Sequence, residues 1–334
     1  MAAAQGRVVI TGGSGNLGSK FAKHLASIGF QPHILEQPGW LQRGALDPGW
    51  RATEADMRRY GAWVDELSGA RAIVHFAAQN PYPTASWQDV AESMAMTNSI
   101  MLAAVAQRVP RVVFASSNHV MGGHKDDGSG VRLATGAHAD SSATANAIGP
   151  GTGVEVGTKW RVHGETEMDS TPYATAKLAG EQLARTLAQQ QRDTSFVCVR
   201  IGWCQPGDNT PATMSASGTP ELEQQHAAPS PGADACAAAL GAADPDGSGR
   251  DQGTGQGGDT HADPQLLDKW YRLMWLSNGD FNQIMTRAVE EKCAGARFFL
   301  VNGMSNNTGM RWSTQGWKQL GYAPADDVSL HVDV

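Results

Sequence analysis

The sequence predicts a doubly wound α/β protein on three observations. Short runs rich in Val, Ile and Phe alternate with longer stretches whose apolar residues fall three and four apart, as strands and helices do around a parallel sheet. A glycine-rich turn follows the first of these runs directly. The 334 residues, 41% hydrophobic and 18% charged, suffice for a large core in one big domain or two merged ones.

Strands are expected at Arg7 to Thr11, His33 to Glu36, Ala72 to Ala78, Arg111 to Ser117, Ser195 to Gly202 and Arg297 to Asn302. Helices are expected between them at Asn16 to Gly29, Trp87 to Arg108 and Tyr173 to Gln191. Two polar stretches rich in Gly, Ala, Ser, Thr and Asp break the rhythm, Gly122 to Met168 and Thr210 to Gln265. The second contains no Ile, Val, Phe, Tyr or Trp, too little apolar surface to offset the entropy of ordering, and Ala233 to Gly258 within it is expected to be mobile. Both stretches read as insertions into a fold.

A net charge of −7, with no Lys/Arg cluster along the chain, offers no basic field for a phosphate backbone, so nucleic acid is not an expected partner. The start of the chain lacks the pattern of a signal peptide, and no apolar run reaches the ~18 residues needed to span a bilayer, so no membrane association and a cytoplasmic location are expected. Cys198, Cys204, Cys236 and Cys293 form no CxxC pair, which points to neither a zinc site nor a disulfide framework. No metal is expected.

The turn Thr11-Gly12-Gly13-Ser14-Gly15-Asn16-Leu17-Gly18 has a G-x-x-G-x-x-G pattern between a strand and a helix. A phosphate-binding turn needs that context. Glycines let the backbone approach a pyrophosphate, and the helix N-terminus offers it free amides and a positive dipole end. Gly12, Gly15, Asn16, Leu17 and Gly18 are therefore candidate cofactor contacts. Glu36 closes the second strand, where a carboxylate accepts hydrogen bonds from the adenosine ribose and repels a 2′-phosphate, which favours NAD over NADP. By analogy with such Rossmann-type folds, Asp56 and Met57 fall near adenine and Ala77 beside the pyrophosphate.

Pro172-Tyr173-Ala174-Thr175-Ala176-Lys177 opens a helix and sets Tyr173 and Lys177 on one helical face. Tyrosine ordinarily titrates near pH 10, and an adjacent ammonium favours its phenolate, the form that takes a proton. Lys177 supplies that charge and reaches the nicotinamide ribose. Ser117, ending the fourth strand, is placed to hydrogen-bond a substrate oxygen, with Asn118 and His119 behind it at the sheet edge where ligands of open α/β folds bind. Ser117, Tyr173 and Lys177 are the candidate catalytic set.

Together the glycine turn, Ser117, Tyr173 and Lys177 resemble the extended short-chain dehydrogenase/reductase superfamily of NAD-dependent epimerases and dehydratases. Ala115 to His119, Val199-Arg200-Ile201-Gly202, Tyr271-Arg272-Leu273 and Trp275-Leu276-Ser277 are most similar to bacterial uronate dehydrogenases, with similar segments at Asp280-Phe281, Asn302-Gly303 and Gly321-Tyr322. The resemblance implies sugar contacts at Ser117, Asn118, His119 and Tyr173 and a carboxylate anchor at Arg272. Asn80 stands where that family carries a substrate-facing serine, a departure that leaves the exact sugar open.

The organisation expected is an NAD-binding Rossmann domain over 1–205 with an insertion at 122–168. A low-complexity insertion follows over 206–266, then a small C-terminal substrate-binding portion over 267–334. The implied protein is a homo-oligomeric oxidoreductase acting on a small sugar acid or polyol. An epimerase or dehydratase with tightly held NAD and a non-catalytic dinucleotide sensor are the alternatives.

Overall fold

A computed structural model describes residues 5–41, 46–79, 85–125, 148–162, 166–214, 271–290 and 295–332, with the backbone alone at 125, 159–168 and 213. Asn80 and all but the first residues of the second insertion, including 233–258, lie outside the described residues.

Seven parallel strands form one sheet: β1 (Arg7–Thr11), β2 (Gln31–Glu36), β3 (Arg51–Glu54), β4 (Ala72–His75), β5 (Arg111–Ser117), β8 (Ser195–Ile201) and β9 (Phe298–Gly303). Their spatial order is β3-β2-β1-β4-β5-β8-β9. The chain winds outward from β1 in one direction and from β4 in the other. The crevice at the carboxyl ends of β1 and β4 is thus the switch point where such sheets bind ligands.

Helices cover both faces, because the strands bury alternate side chains in opposite directions. Val8 and Ile10 of β1 join Val197 and Val199 of β8 in a core with Phe21 and Leu25 of α1 (Asn16–Ser27) and Phe281, Ile284 and Met285 of α4 (Asn278–Glu290). Val9, Ile73, Phe114, Phe196 and Cys198 face the other way, onto α2 (Trp87–Ala106) and α3 (Thr171–Gln190). Ser86 and Asp89 close a capping box on α2, and Pro172 sits in the first turn of α3, where its missing amide costs nothing.

Three details differ from the expected elements. β4 ends at His75: the Phe76 amide still donates to the Thr11 carbonyl at 3.2 Å, but the Ala77 amide turns to the Thr11 side chain and its backbone passes against the glycine turn. β3 was not expected: its Arg-Ala-Thr-Glu sequence lies at the sheet edge with three of four residues exposed, so no apolar alternation marks it. Within the first insertion, β6 (Lys159–Val162) and β7 (Thr166–Asp169) pair as an antiparallel hairpin that leads into α3. Beyond β8, the segment 203–209 crosses 271–277, joined by the Trp203–Trp275 bridge and by Asn209, whose Nδ2 donates to the Leu276 carbonyl over 2.7 Å.

Candidate active site

The glycine turn closes on the end of β4. Gly12 has a φ of +68°, and a Cβ there would lie 2.8 Å from the Ala77 amide nitrogen. A Cβ on Gly18 would strike the Gly12 carbonyl and lie 2.7 Å from Gly13 Cα, so only glycine lets α1 seat on the turn. The N-cap of α1 is Gly15, and no side chain caps it. Its first-turn amides therefore have no side-chain partner there, the arrangement that receives a pyrophosphate. Thr11 Oγ1 accepts from the Ala77 amide at 3.2 Å and pairs with His75 Nδ1 at 2.7 Å, while His75 Nε2 pairs with Thr97 Oγ1. Burial holds His75 neutral, its pKa lowered to about 3.

Glu36 is buried at the end of β2, and its Oε2 accepts from both the amide (3.1 Å) and hydroxyl (2.6 Å) of Ser14. Oε1 accepts from the Gln37 amide. A carboxylate has about four acceptor positions, so a ribose hydroxyl still has room. Ser14 escaped the sequence reading, although its place inside the glycine turn was the available signal. Asn16 sends its amide to the Cys204 carbonyl at 3.2 Å, which ties α1 to the segment after β8. Leu17 is half-buried against the core. Met57 is fully buried among Leu35, Ile73 and Met96. The Asp56 carboxyl is held below its ordinary pKa by its hydrogen bond from Arg58, which also bridges to Glu92.

On the other side of the crevice, Ser117, Asn118 and His119 are all buried at the end of β5. The His119 amide donates to Ser117 Oγ over 3.2 Å, and Asn118 Nδ2 donates to the Ile201 carbonyl, fixing that residue to β8. Tyr173 is half-buried, with its ring edge-on to His119 at 6.0 Å. Lys177 Nζ lies 5.6 Å from the Tyr173 ring centroid and 5.2 Å from that of Phe114, and donates to the Ala115 carbonyl at 2.8 Å. Burial lowers its pKa to about 8. The structure thus gathers Tyr173, Lys177 and His119 with Ser117 at one sheet edge. Arg272 is half-buried in helical backbone directly after Tyr271, whose ring packs on Trp203 at 5.0 Å, so its segment lies across the end of β8, the strand paired to β5 through Ser117 and Ile201.

A buried ion pair behind this site was also missed. Arg200 donates from Nε and Nη2 to the two oxygens of Glu181 at 2.9 and 2.8 Å, and Ser116 Oγ donates to Glu181 Oε1 at 2.5 Å. An arginine inside the apolar run of β8 was the signal for it.

No helix among the described residues is long and apolar enough to cross a membrane. The L-arabinose 1-dehydrogenase (NAD(P)(+)) of Haloferax volcanii is 26% identical over 330 residues, covering 98% of this chain and 99% of that protein. An NAD-dependent glucose-6-phosphate dehydrogenase of the same organism is 28% identical over 206 residues, 58% of this chain and 67% of its own length. Among solved structures, uronate dehydrogenase from Agrobacterium tumefaciens shares the fold with a TM-score of 0.59 at 19% identity, covering 97% of this chain and 86% of that one. The family model described as NAD dependent epimerase/dehydratase family matches residues 8–204. That span runs from β1 and the glycine turn through Tyr173 and Lys177 to the end of β8, and on it the chain belongs to the NAD dependent epimerase/dehydratase family of enzymes.

Proposed function

We propose that this enzyme is an NAD-dependent dehydrogenase that oxidises the anomeric hydroxyl of a sugar acid such as a uronate to a lactone. The observation that supports this most is the Lys177 ammonium above the Tyr173 ring, beside Ser117 at the sheet edge next to the dinucleotide turn. Tyr173 takes the hydroxyl proton, Ser117 orients the substrate oxygen, and Lys177 favours the phenolate. The residues that would hold NAD are the glycine turn, Glu36, Ala77 and Lys177; bound there, it accepts the hydride. Arg272 anchors the substrate carboxylate through a bidentate contact, a geometry that lysine does not reproduce.

A second reading, oxidation of a neutral aldose, is favoured by the full-length match to an arabinose dehydrogenase. A screen of uronic acids and aldoses for NADH formation by absorbance separates the two. We expect turnover of a uronic acid, and Arg272→Ala should lower kcat/KM for it by ~30-fold or more, with much less effect on neutral sugars. Equal losses on both classes would remove the carboxylate anchor. Epimerisation of a nucleotide sugar without net NADH would overturn the dehydrogenase reading itself.

A further inference from the structure

We propose that Glu181, clamped between Arg200 and Ser116, is a positioning residue that sets the register of the Tyr173/Lys177 helix against the strand end carrying Ser117. The inference rests on the reading of Tyr173, Lys177 and Ser117 as the catalytic set.

Ser116, Glu181 and Arg200 are each 2% exposed. A buried ion pair seldom stabilises a fold more than apolar side chains of the same volume would, so stability alone gives no reason for it. Geometry gives another. Ser116 and Arg200 are ladder partners on β5 and β8, and one carboxylate of α3 grips both side chains. One helical turn earlier, Lys177 Nζ reaches the Ala115 carbonyl. Two successive turns of α3 are therefore pinned to the two residues that precede Ser117. Gly180 lies between the pins, and a Cβ there would approach Phe114 Cζ to 2.5 Å, so the helix rides close on β5 as well as in fixed register.

Because Lys177 Nζ is held by the Ala115 carbonyl of β5, sliding α3 along β5 would draw Tyr173 away from that ammonium as well as from Ser117. A misplacement of about 1 Å costs on the order of 10²-fold in rate. Glu181 takes no part in the chemistry. Both its oxygens are engaged, and its effect passes through Lys177 and Tyr173.

The test uses Ser116→Ala, which removes one of the three hydrogen bonds that hold Glu181 and keeps the ion pair, and Glu181→Met/Arg200→Met, which replaces the pair by apolar side chains of similar volume. Subtracting the phenolate absorbance of the matching Tyr173→Phe protein isolates the titration of Tyr173 and needs no substrate. We expect its midpoint to rise by about one pH unit in the double variant and by less in Ser116→Ala, because Tyr173 has moved with the helix away from the Lys177 nitrogen that the Ala115 carbonyl holds. With a uronic acid or L-arabinose, kcat should fall ~100-fold and ~10-fold respectively, with KM for NAD unchanged. If the double variant fails to fold, Ser116→Ala decides alone. An unmoved midpoint in a folded variant overturns the proposal even if its melting temperature drops. A Tyr173→Phe enzyme that still turns over would instead sink the catalytic reading, leaving the titration to judge the clamp separately.

Discussion

Lys177 carries an ammonium in a place where a charge is costly. Buried beneath α3, it titrates near 8, whereas the same group in an unfolded chain keeps its proton to the ordinary 10.5. Between those values the unfolded state binds more protons than the folded one, so this residue makes stability rise with pH across that window, and below it the buried charge is a standing penalty. Lys177→Met should therefore melt no lower than the wild type at pH 7 while losing turnover by at least ~100-fold, a trade of stability for activity that calorimetry and a rate assay measure together. A clear drop in melting temperature would show that the bond to Ala115 outweighs the desolvation. Glu36 makes an equally local prediction. Pinned by Ser14 and the Gln37 amide, its carboxylate does not swing aside for a 2′-phosphate, so NAD should bind at least ~10-fold more tightly than NADP by calorimetry. Comparable affinities would show that the Ser14 contact yields.

The glycine turn works as a unit of strand, turn and helix. Gly18→Ala places a methyl against the backbone of Gly12 and Gly13, which have no flexible end to give way. We expect a loss of roughly 1 to 3 kcal/mol in stability and weaker NAD binding, read by melting and by titration with NAD. An unchanged affinity would mean that α1 tilts without disturbing the amides at its start. This turn was legible in the sequence because its glycines fall between an apolar run and a helix start, and β1 and β5 were legible because their buried centres, Val8-Val9-Ile10 and Val112-Val113-Phe114, are unbroken apolar runs. β3 and the β6–β7 hairpin were not, since a polar edge strand and short strands within a polar stretch carry no hydrophobic period. Tyr173 and Lys177 stood out by spacing on one helix. Glu181, one turn further on, became meaningful only when the sheet brought Ser116 and Arg200 beneath it, contacts 65 and 19 residues distant.

Across the protein, two histidines bind the fold to neutral pH. Burial, with the charges of Arg51 and Arg7 close by, lowers the pKa of His33 to about 4. His75, buried between Thr11 and Thr97, is lowered to about 3, chiefly by burial and further by Lys177. Both are neutral when folded and take up protons near 6.5 when unfolded, so their contribution is complete above 6.5 and is lost as the pH falls towards 3 to 4. Melting temperature should therefore decline between pH 6.5 and 4, and His33→Gln should flatten that decline without removing it, because His75 remains. A profile unchanged by the substitution would place the acid sensitivity elsewhere.

The crossing of 203–209 with 271–277 has a consequence for protein engineering. Met214, which lies near the start of the long polar stretch, packs with Trp275 and Val328 in one small cluster, while the Trp275 indole donates to the Asn209 carbonyl at 3.0 Å. The chain therefore leaves and re-enters this part of the fold at neighbouring points that are already stitched together. Excising residues 215–270 and joining Met214 to Tyr271 through a short Gly/Ser linker should give a trimmed enzyme with the melting temperature and NAD affinity of the parent. Any change confined to the range of sugars it accepts would then measure what the removed stretch contributes to substrate choice.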